Sequence, residues 1–430
     1  MTHGEYSHFR LQFTPTLVLL LPLYRLIDHQ FLLVAVGAIG YFASFLVMFS
    51  LLDRIGSRSG IKGNASRFIP LASVGCALLI MTNRYTKNVL TSAHYEFLFP
   101  LLWSLLAYAM IEAKPWFYRW VSFALLVGLR SDASFFVAFQ LAALYFLPPW
   151  VPADLNQYRR SLWVFGIAAI LYFCAIIAVV NPLFGSEDNF LRWWGHLGTG
   201  PLEIAWTVIR SPLTLFKAIF KGGFLDLNLS FFLLPLLVHP GFFVLMNLPA
   251  IPNYLMVFPE RQSLFYYHSA VLLPLFYLGV GVGLIILLQR LNDLSRPIRV
   301  VALLLMISII PVQALTFRDT NNGFKFRIYP GQQREFAKQL NEVIRGFAEV
   351  KSVATDVDSI VYVSHSKELR VLEQYEHSDF IILKPTANAL LTPGRDYLKT
   401  RAKILSDERY RLVRHTEQAE YLIKRTLNGN

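Results

Sequence analysis

Apolar stretches long enough to cross a lipid bilayer recur along this chain, and they restrict its fold more than any other feature. A hydrocarbon core about 30 Å thick needs about 20 consecutive apolar residues of helix. Residues 30–52, 161–186, 262–289 and 300–317 carry no Asp, Glu, Lys or Arg, and each is long enough for one helix. Residues 68–83 and 97–111 are shorter, and their flanks extend them. Two further stretches are too long for single straight helices. The 33 uncharged residues 227–259 are interrupted by Pro235, His239-Pro240-Gly241, Pro249 and Pro252. They are expected to enter the membrane, turn at His-Pro-Gly and return. Residues 120–153 are divided by Arg130-Ser131-Asp132 into a short helix, a polar elbow and a second helix.

Composition agrees with a multi-pass membrane protein. Charged residues are 16% of the 430, against about 25% in a typical soluble chain. Such a chain cannot cover its own surface with charge. Aromatic residues reach 15%, with 35 Phe, which suits a lipid-facing exterior with interfacial belts. The net charge of +12 raises a nucleic-acid reading. No basic stripe interleaved with aromatics supports it, and the only adjacent basic pairs are Arg159-Arg160 and Lys424-Arg425. Cys76 and Cys174 lie in apolar segments and read as small hydrophobes.

Lys and Arg set the expected orientation. Placing loops 53–67, 114–119, 150–160 and 289–299 on the cytoplasmic side collects 11 basic residues there. Alternation then puts the loop 187–226, the Arg130–Asp132 elbow, the Glu260-Arg261 turn and everything after Phe317 outside, at the cytoplasmic membrane. The N-terminus also starts outside. Its residues 11–24, with Pro15 and Pro22, are too short to span and fit a helix lying in the interface. The expected domains are therefore 1–317, a helical membrane domain with 1–29 as an interfacial segment, and 318–430, a small soluble α/β domain. In the latter, 332–347 and 393–405 read as helices, 360–363 and 380–383 as strands, and 411–413 with 421–423 as a hairpin.

Polar residues at membrane depth are costly, which makes them candidates for function. Arg130 and Asp132 read either as an anion-binding Arg oriented by a carboxylate or as a snorkelling interfacial pair. His94 and Glu96, ahead of the helix at 97, suit proton transfer or a divalent cation, or mark a plain helix start. His268 lies one step inside the 262–289 span, beside Tyr267. Arg192-Trp193-Trp194 reads as a sugar-stacking and phosphate-binding group or as a headgroup anchor.

Together these motifs resemble a family of bacterial and archaeal membrane proteins known as domain of unknown function 2079. The resemblance rests on His8-Phe9 with Phe13-Thr14-Pro15, Leu21-Pro22-Leu23-Tyr24, Arg130-Ser131-Asp132, Trp194-Gly195-His196-Leu197-Gly198, Leu234-Pro235 with His239-Pro240, and Tyr267-His268. It runs from His8 past Tyr267. In the family the elbow more often reads Lys-Glu-Asp or Arg-Glu-Asp, and Ser131 here replaces the middle acid. The family in turn is similar to a distant branch of the GT-C glycosyltransferases. That implies a mostly α bundle of about 8–10 membrane segments, with a sugar moved from a polyprenyl-phosphate carrier at the outer face. The implied catalytic candidates are His94, Glu96, Asp132 and His268. The implied substrate-binding candidates are His8, Arg130, Arg192, Trp193, Trp194, Arg261 and Tyr267, with a divalent cation as a further way to offset phosphate charge. The first span and acid-bearing loop of that fold are expected to be missing here, with Glu5 the only nearby carboxylate. A transporter or flippase, or a non-catalytic membrane scaffold, are the alternatives. No nucleic-acid partner is expected.

Overall fold

The computed structural model describes residues 2–3, 6–7, 14–27, 32–61, 68–83, 85–86, 89, 98–184, 194–221, 223–256, 269–292, 342–343, 350–355, 368–383, 397–415 and 420–425. The chain forms two compact units. One is Gln12–Phe324, and the other joins Met1–Leu11 to Lys325–Asn430.

The first unit is helical. A 3-10 turn, Pro15–Leu20, leads into α1 (Leu21–Leu26), followed by α2 (Leu32–Arg58), α3 (Phe68–Thr82), α4 (Leu98–Ile111), α5 (Trp116–Val127), α6 (Ala133–Leu144) and α7 (Leu155–Ala175). After a π-turn at Ile176–Val180 come α8 (Pro201–Arg210), α9 (Pro212–Lys221), α10 (Phe224–Ser230), α11 (Pro240–Asn247) and α12 (Leu273–Asn292). Among the described residues, three helices are long and apolar enough to cross a membrane, at Ala35–Arg58, Leu155–Val180 and Leu273–Leu291. The expected span 300–317 lies outside the described residues.

Two helix limits differ from expectation for one reason. Residues 53–58 and 155–160 were expected in loops, yet α2 continues to Arg58 and α7 begins at Leu155. Charge marks where the apolar core ends, whereas a helix continues into the polar zone when its charges find partners. Arg54 and Arg58 both reach Glu112, at 3.4 and 2.6 Å. Asp154 caps α7, its Oδ1 accepting from the backbone N–H groups of Asn156 and Gln157 at 2.9 Å.

These contacts gather the C-terminal ends of α2, α4 and α12 at one end of the bundle, where Gln289 Nε2 also donates to the Ser59 carbonyl at 2.5 Å. The same end is basic. Arg54 and Lys114 lie over the Tyr108 ring, and Arg119 and Arg160 over Trp116. Arg119 is fully buried, and donates from Nη1 to Ser161 at 2.5 Å and from Nε to the Ala109 carbonyl at 3.2 Å. It ties α5 to α4 and α7 in place of a water shell.

The 227–256 stretch is broken as expected. Leu234–Leu237 is a 3-10 turn, and His239 caps α11 by accepting the Gly241 N–H on Nδ1 at 3.0 Å. Phe146, just past α6, stacks on His239 with centroids 4.9 Å apart. The turn therefore sits at the α6 C-terminus, and α11 runs back along α6. The central α12 admits the descending limb through Gly283, where a Cβ would lie 2.4 Å from the Leu234 carbonyl oxygen. Only glycine permits that approach.

Among the described residues the second unit forms a seven-stranded sheet in the order β2-β1-β4-β3-β5-β7-β6. Its strands are β1 (Thr2–His3), β2 (Tyr6–Ser7), β3 (Ser352–Thr355), β4 (Glu368–Val371), β5 (Phe380–Leu383), β6 (Tyr410–His415) and β7 (Glu420–Lys424). β1, β4, β3 and β5 are parallel, and β5, β7 and β6 form an antiparallel edge. The N-terminal residues, expected with the membrane domain, instead add β1 and β2 to this sheet, because β1 pairs with β4 at His3 and Leu369. The helix expected at 393–405 is α13, Tyr397–Leu405. The strand expected at 360–363 and most of the helix at 332–347 lie outside the described residues.

The β6 end of this sheet has a pH-sensitive clasp. Asp407 accepts from Arg409 Nε, Nη2 and N at 2.7–3.2 Å, and this pairing holds its carboxyl well below the usual carboxylate range. A carboxyl depressed on folding contributes stability that is present above its unfolded pKa of about 3.9 and is lost as pH falls toward the folded value. Asp407→Asn is expected to speed amide exchange of β6 at neutral pH in the full chain. The gap from the parent should close as the pH drops below about 4. A gap that persists in acid would assign the effect to shape instead of charge.

Candidate functional site

The Arg130–Asp132 elbow lies between the end of α5 at Val127, capped by Gly128, and the start of α6 at Ala133. α5 leaves the basic end at Trp116, and its 12 residues carry the chain about 18 Å toward the other end. The 3-10 turn Pro15–Leu20 is seated on the elbow. Thr16 donates its N–H to the Gly128 carbonyl at 2.9 Å and its hydroxyl to the Leu125 carbonyl at 2.7 Å. A Cβ on residue 128 would lie 2.7 Å from the Thr16 hydroxyl and 3.2 Å from Pro15, so the close seating requires glycine. The Thr14-Pro15 pair of the N-terminal motif and the elbow motif thus meet in space.

Arg130 is 7% exposed. Its Nη2 donates to Asp132 Oδ2 at 2.7 Å, and its Nε pairs with Oδ1. The carboxylate side chain is 39% exposed. A guanidinium is planar, so one hydrogen bond and a second ionic contact to the same carboxylate fix the plane of its donors. The charged group most removed from water is the cation, and its partner faces outward.

Three further polar groups lie toward this end. Tyr85, fully buried, donates to Asp226 Oδ2 at 2.7 Å. Asn83 donates to Ser230 Oγ at 2.9 Å, and Asn228 and Asn247 exchange amide bonds at 2.8 and 3.2 Å. The Tyr254 ring lies 6.5 Å from Phe224 at the start of α10. Tyr254 closes the short helix Ile251–Tyr254, which follows the return of α11 along α6 toward the elbow. Trp194 belongs here too. Its indole N–H donates to the Pro252 carbonyl at 2.9 Å, so this member of the Trp pair is fastened to the returning segment.

Of the candidates read from sequence, Arg130 and Asp132 are brought together and Trp194 is placed at the same end. His8, His94, Glu96, Arg192, Trp193, Arg261, Tyr267 and His268 lie outside the described residues. Among the described residues, no group of three or more His, Cys, Asp or Glu assembles that could hold a metal ion. The residues that sequence reasoning missed are Tyr85 and Asp226. Asp226 read only as the last charge of a loop, and the available signal was its position immediately before the 33-residue uncharged run.

A family model described as a predicted membrane protein, DUF2079, matches residues 2–429. The chain belongs to this family. The match covers the sheet unit as well as the helical one, further than the motifs from His8 to Tyr267 reach. No curated protein matches the chain. Among solved structures, the crystal structure of ArnT from Cupriavidus metallidurans bound to undecaprenyl phosphate is similar at 9% identity, with 96% of this chain and 88% of that one covered. The TM-score is 0.45, too loose a likeness to carry an argument. For a DUF2079 membrane protein, a nearly buried arginine paired with a half-exposed carboxylate at a broken helix is a polar feature that apolar packing alone does not account for.

Proposed function

We propose that this DUF2079 chain is a membrane glycosyltransferase of the GT-C type, taking its sugar from a polyprenyl-phosphate carrier at the extracytoplasmic face. The observation that carries the reading is the Arg130 guanidinium, held in one plane by Asp132 at the end of the bundle opposite its basic end. In the reaction the acceptor hydroxyl attacks the anomeric carbon. The bond from that carbon to the carrier's phosphate oxygen breaks, and the phosphate leaves with the electron pair. Arg130 offsets the charge developing on the phosphate. The acceptor proton passes to a carboxylate, and Asp226, oriented by Tyr85, takes that role ahead of Asp132, whose two oxygens already face Arg130. A divalent cation would add charge neutralisation on the departing phosphate.

Membranes holding the chain should release lipid phosphate and transfer label from at least one of a panel of radiolabelled polyprenyl-phosphate sugars. Silence across the panel overturns the reading. The orientation has its own check. Glu408 is exposed in the sheet unit, and Glu408→Cys should react with an impermeant thiol reagent in intact expressing cells. Labelling only after the cells are broken would put that unit on the cytoplasmic side.

A further inference from the structure

α8 and α9 present an apolar face that no described residue of the helical unit covers. On α8, Leu202, Trp206 and Ile209 are 87%, 52% and 67% exposed. On α9, Leu213, Phe216 and Phe220 are exposed, with the Phe216 and Phe220 rings 4.3 Å apart. The spacing puts each trio on one side of its helix. On α9 the inward side packs on the core through Ala218 and Ile219. The exposed side of α9 is therefore a second apolar face, distinct from the one that holds it to the bundle, and α8 continues that face.

We propose that α8 and α9 lie flat in the membrane interface with this face dipped into the acyl region, and that its occupant is phospholipid. Length excludes a spanning role: each helix has 10 residues, about 15 Å, half of a bilayer core of about 30 Å. Position fits, because α9 packs against α10 and Ile251–Tyr254, at the elbow end of a bundle in which three of the described helices are long and apolar enough to cross a membrane. Charge fits as well. Arg210 and Lys217 are exposed beside the apolar trios. The Arg210 guanidinium lies 4.6 Å from the Trp206 ring centroid, so an exposed aromatic and a cation stand together as they do at the headgroup level of a membrane. The turn before α8 is built to hold the entry angle. Glu203 reaches back to Thr199, accepting its N–H at 2.7 Å and its hydroxyl at 2.6 Å. A Cβ at Gly198 would meet Glu203 at 2.9 Å.

The test uses the full chain in phosphatidylcholine nanodiscs, with Cys174 replaced by Ser and a single environment-sensitive fluorophore on cysteine at Ile209 or Leu213. Thr207, which lies off the exposed face, serves as control. Lipids brominated on the acyl chains should quench the label at 209 and 213 severalfold more than at 207, and aqueous iodide should do the reverse. Iodide quenching at 209 and 213 without bromine quenching would show a solvated face and overturn the proposal. So would loss of bromine quenching together with cross-linking between chains through those cysteines, which would make the face a contact between copies. None of these readouts depends on sugar transfer.

Discussion

Arg130→Gln is expected to lower sugar transfer by about 10²–10³-fold, the range that follows removal of one preorganised donor to developing charge. Glutamine keeps an N–H donor, two atoms short of the guanidinium tips, but carries no charge and cannot form the two-point grip on Asp132. The phosphate would then leave without a fixed cation opposite it. The fold should survive, because the partner left behind is a carboxylate with 39% of its side chain exposed and is able to take water. Arg130→Lys should recover only part of the rate, since an ammonium restores the charge without the planar fork. Initial rates with labelled lipid-linked sugar, beside size-exclusion profiles in detergent, separate these outcomes. Full turnover in Arg130→Gln would reduce the pair to a fastening of the elbow.

The elbow was legible in the sequence because a cation and an anion two residues apart stand out in an apolar run. Its surroundings were less so. That Thr16 holds Gly128 depends on contacts between residues far apart in the chain, and no local pattern in either segment announces it. The re-entrant segment could be read from its prolines, since each removes a backbone donor and breaks the helix ladder. The ends of α2 and α7 could not, because partners for Arg54, Arg58 and the α7 N-terminus decide them, and counting charges finds only the edge of the apolar core. β1 and β2 are two residues each, too short for any alternation to show, and their existence depends on pairing with a strand near residue 369. Trp194 looked like half of an aromatic pair, and its bond to the Pro252 carbonyl gives it a definite task that adjacency to Trp193 does not reveal. In each case the missing information is a tertiary partner.

Asp226 is the clearest instance, and it carries the second large expected effect. Its partner Tyr85 is 141 residues earlier, so neither residue points to the other in the sequence. Asp226→Asn should lower turnover by about 10²–10⁴-fold, the usual contribution of a positioned base. Asparagine has nearly the same shape and its amide oxygen still accepts the Tyr85 hydroxyl, so the tie between α10 and residue 85 is kept while the capacity to take a proton is lost. Tyr85→Phe makes the complementary cut: the carboxylate remains and its orienting bond goes, and the loss of rate should be smaller than in Asp226→Asn. A purely structural tie predicts the opposite order, with Tyr85→Phe the more damaging of the two because it removes the bond that Asp226→Asn keeps. Rates and thermal midpoints measured on both variants in the same membranes decide between them. Wild-type turnover in Asp226→Asn would pass the proton-accepting role to another carboxylate, with Asp132 the first to replace.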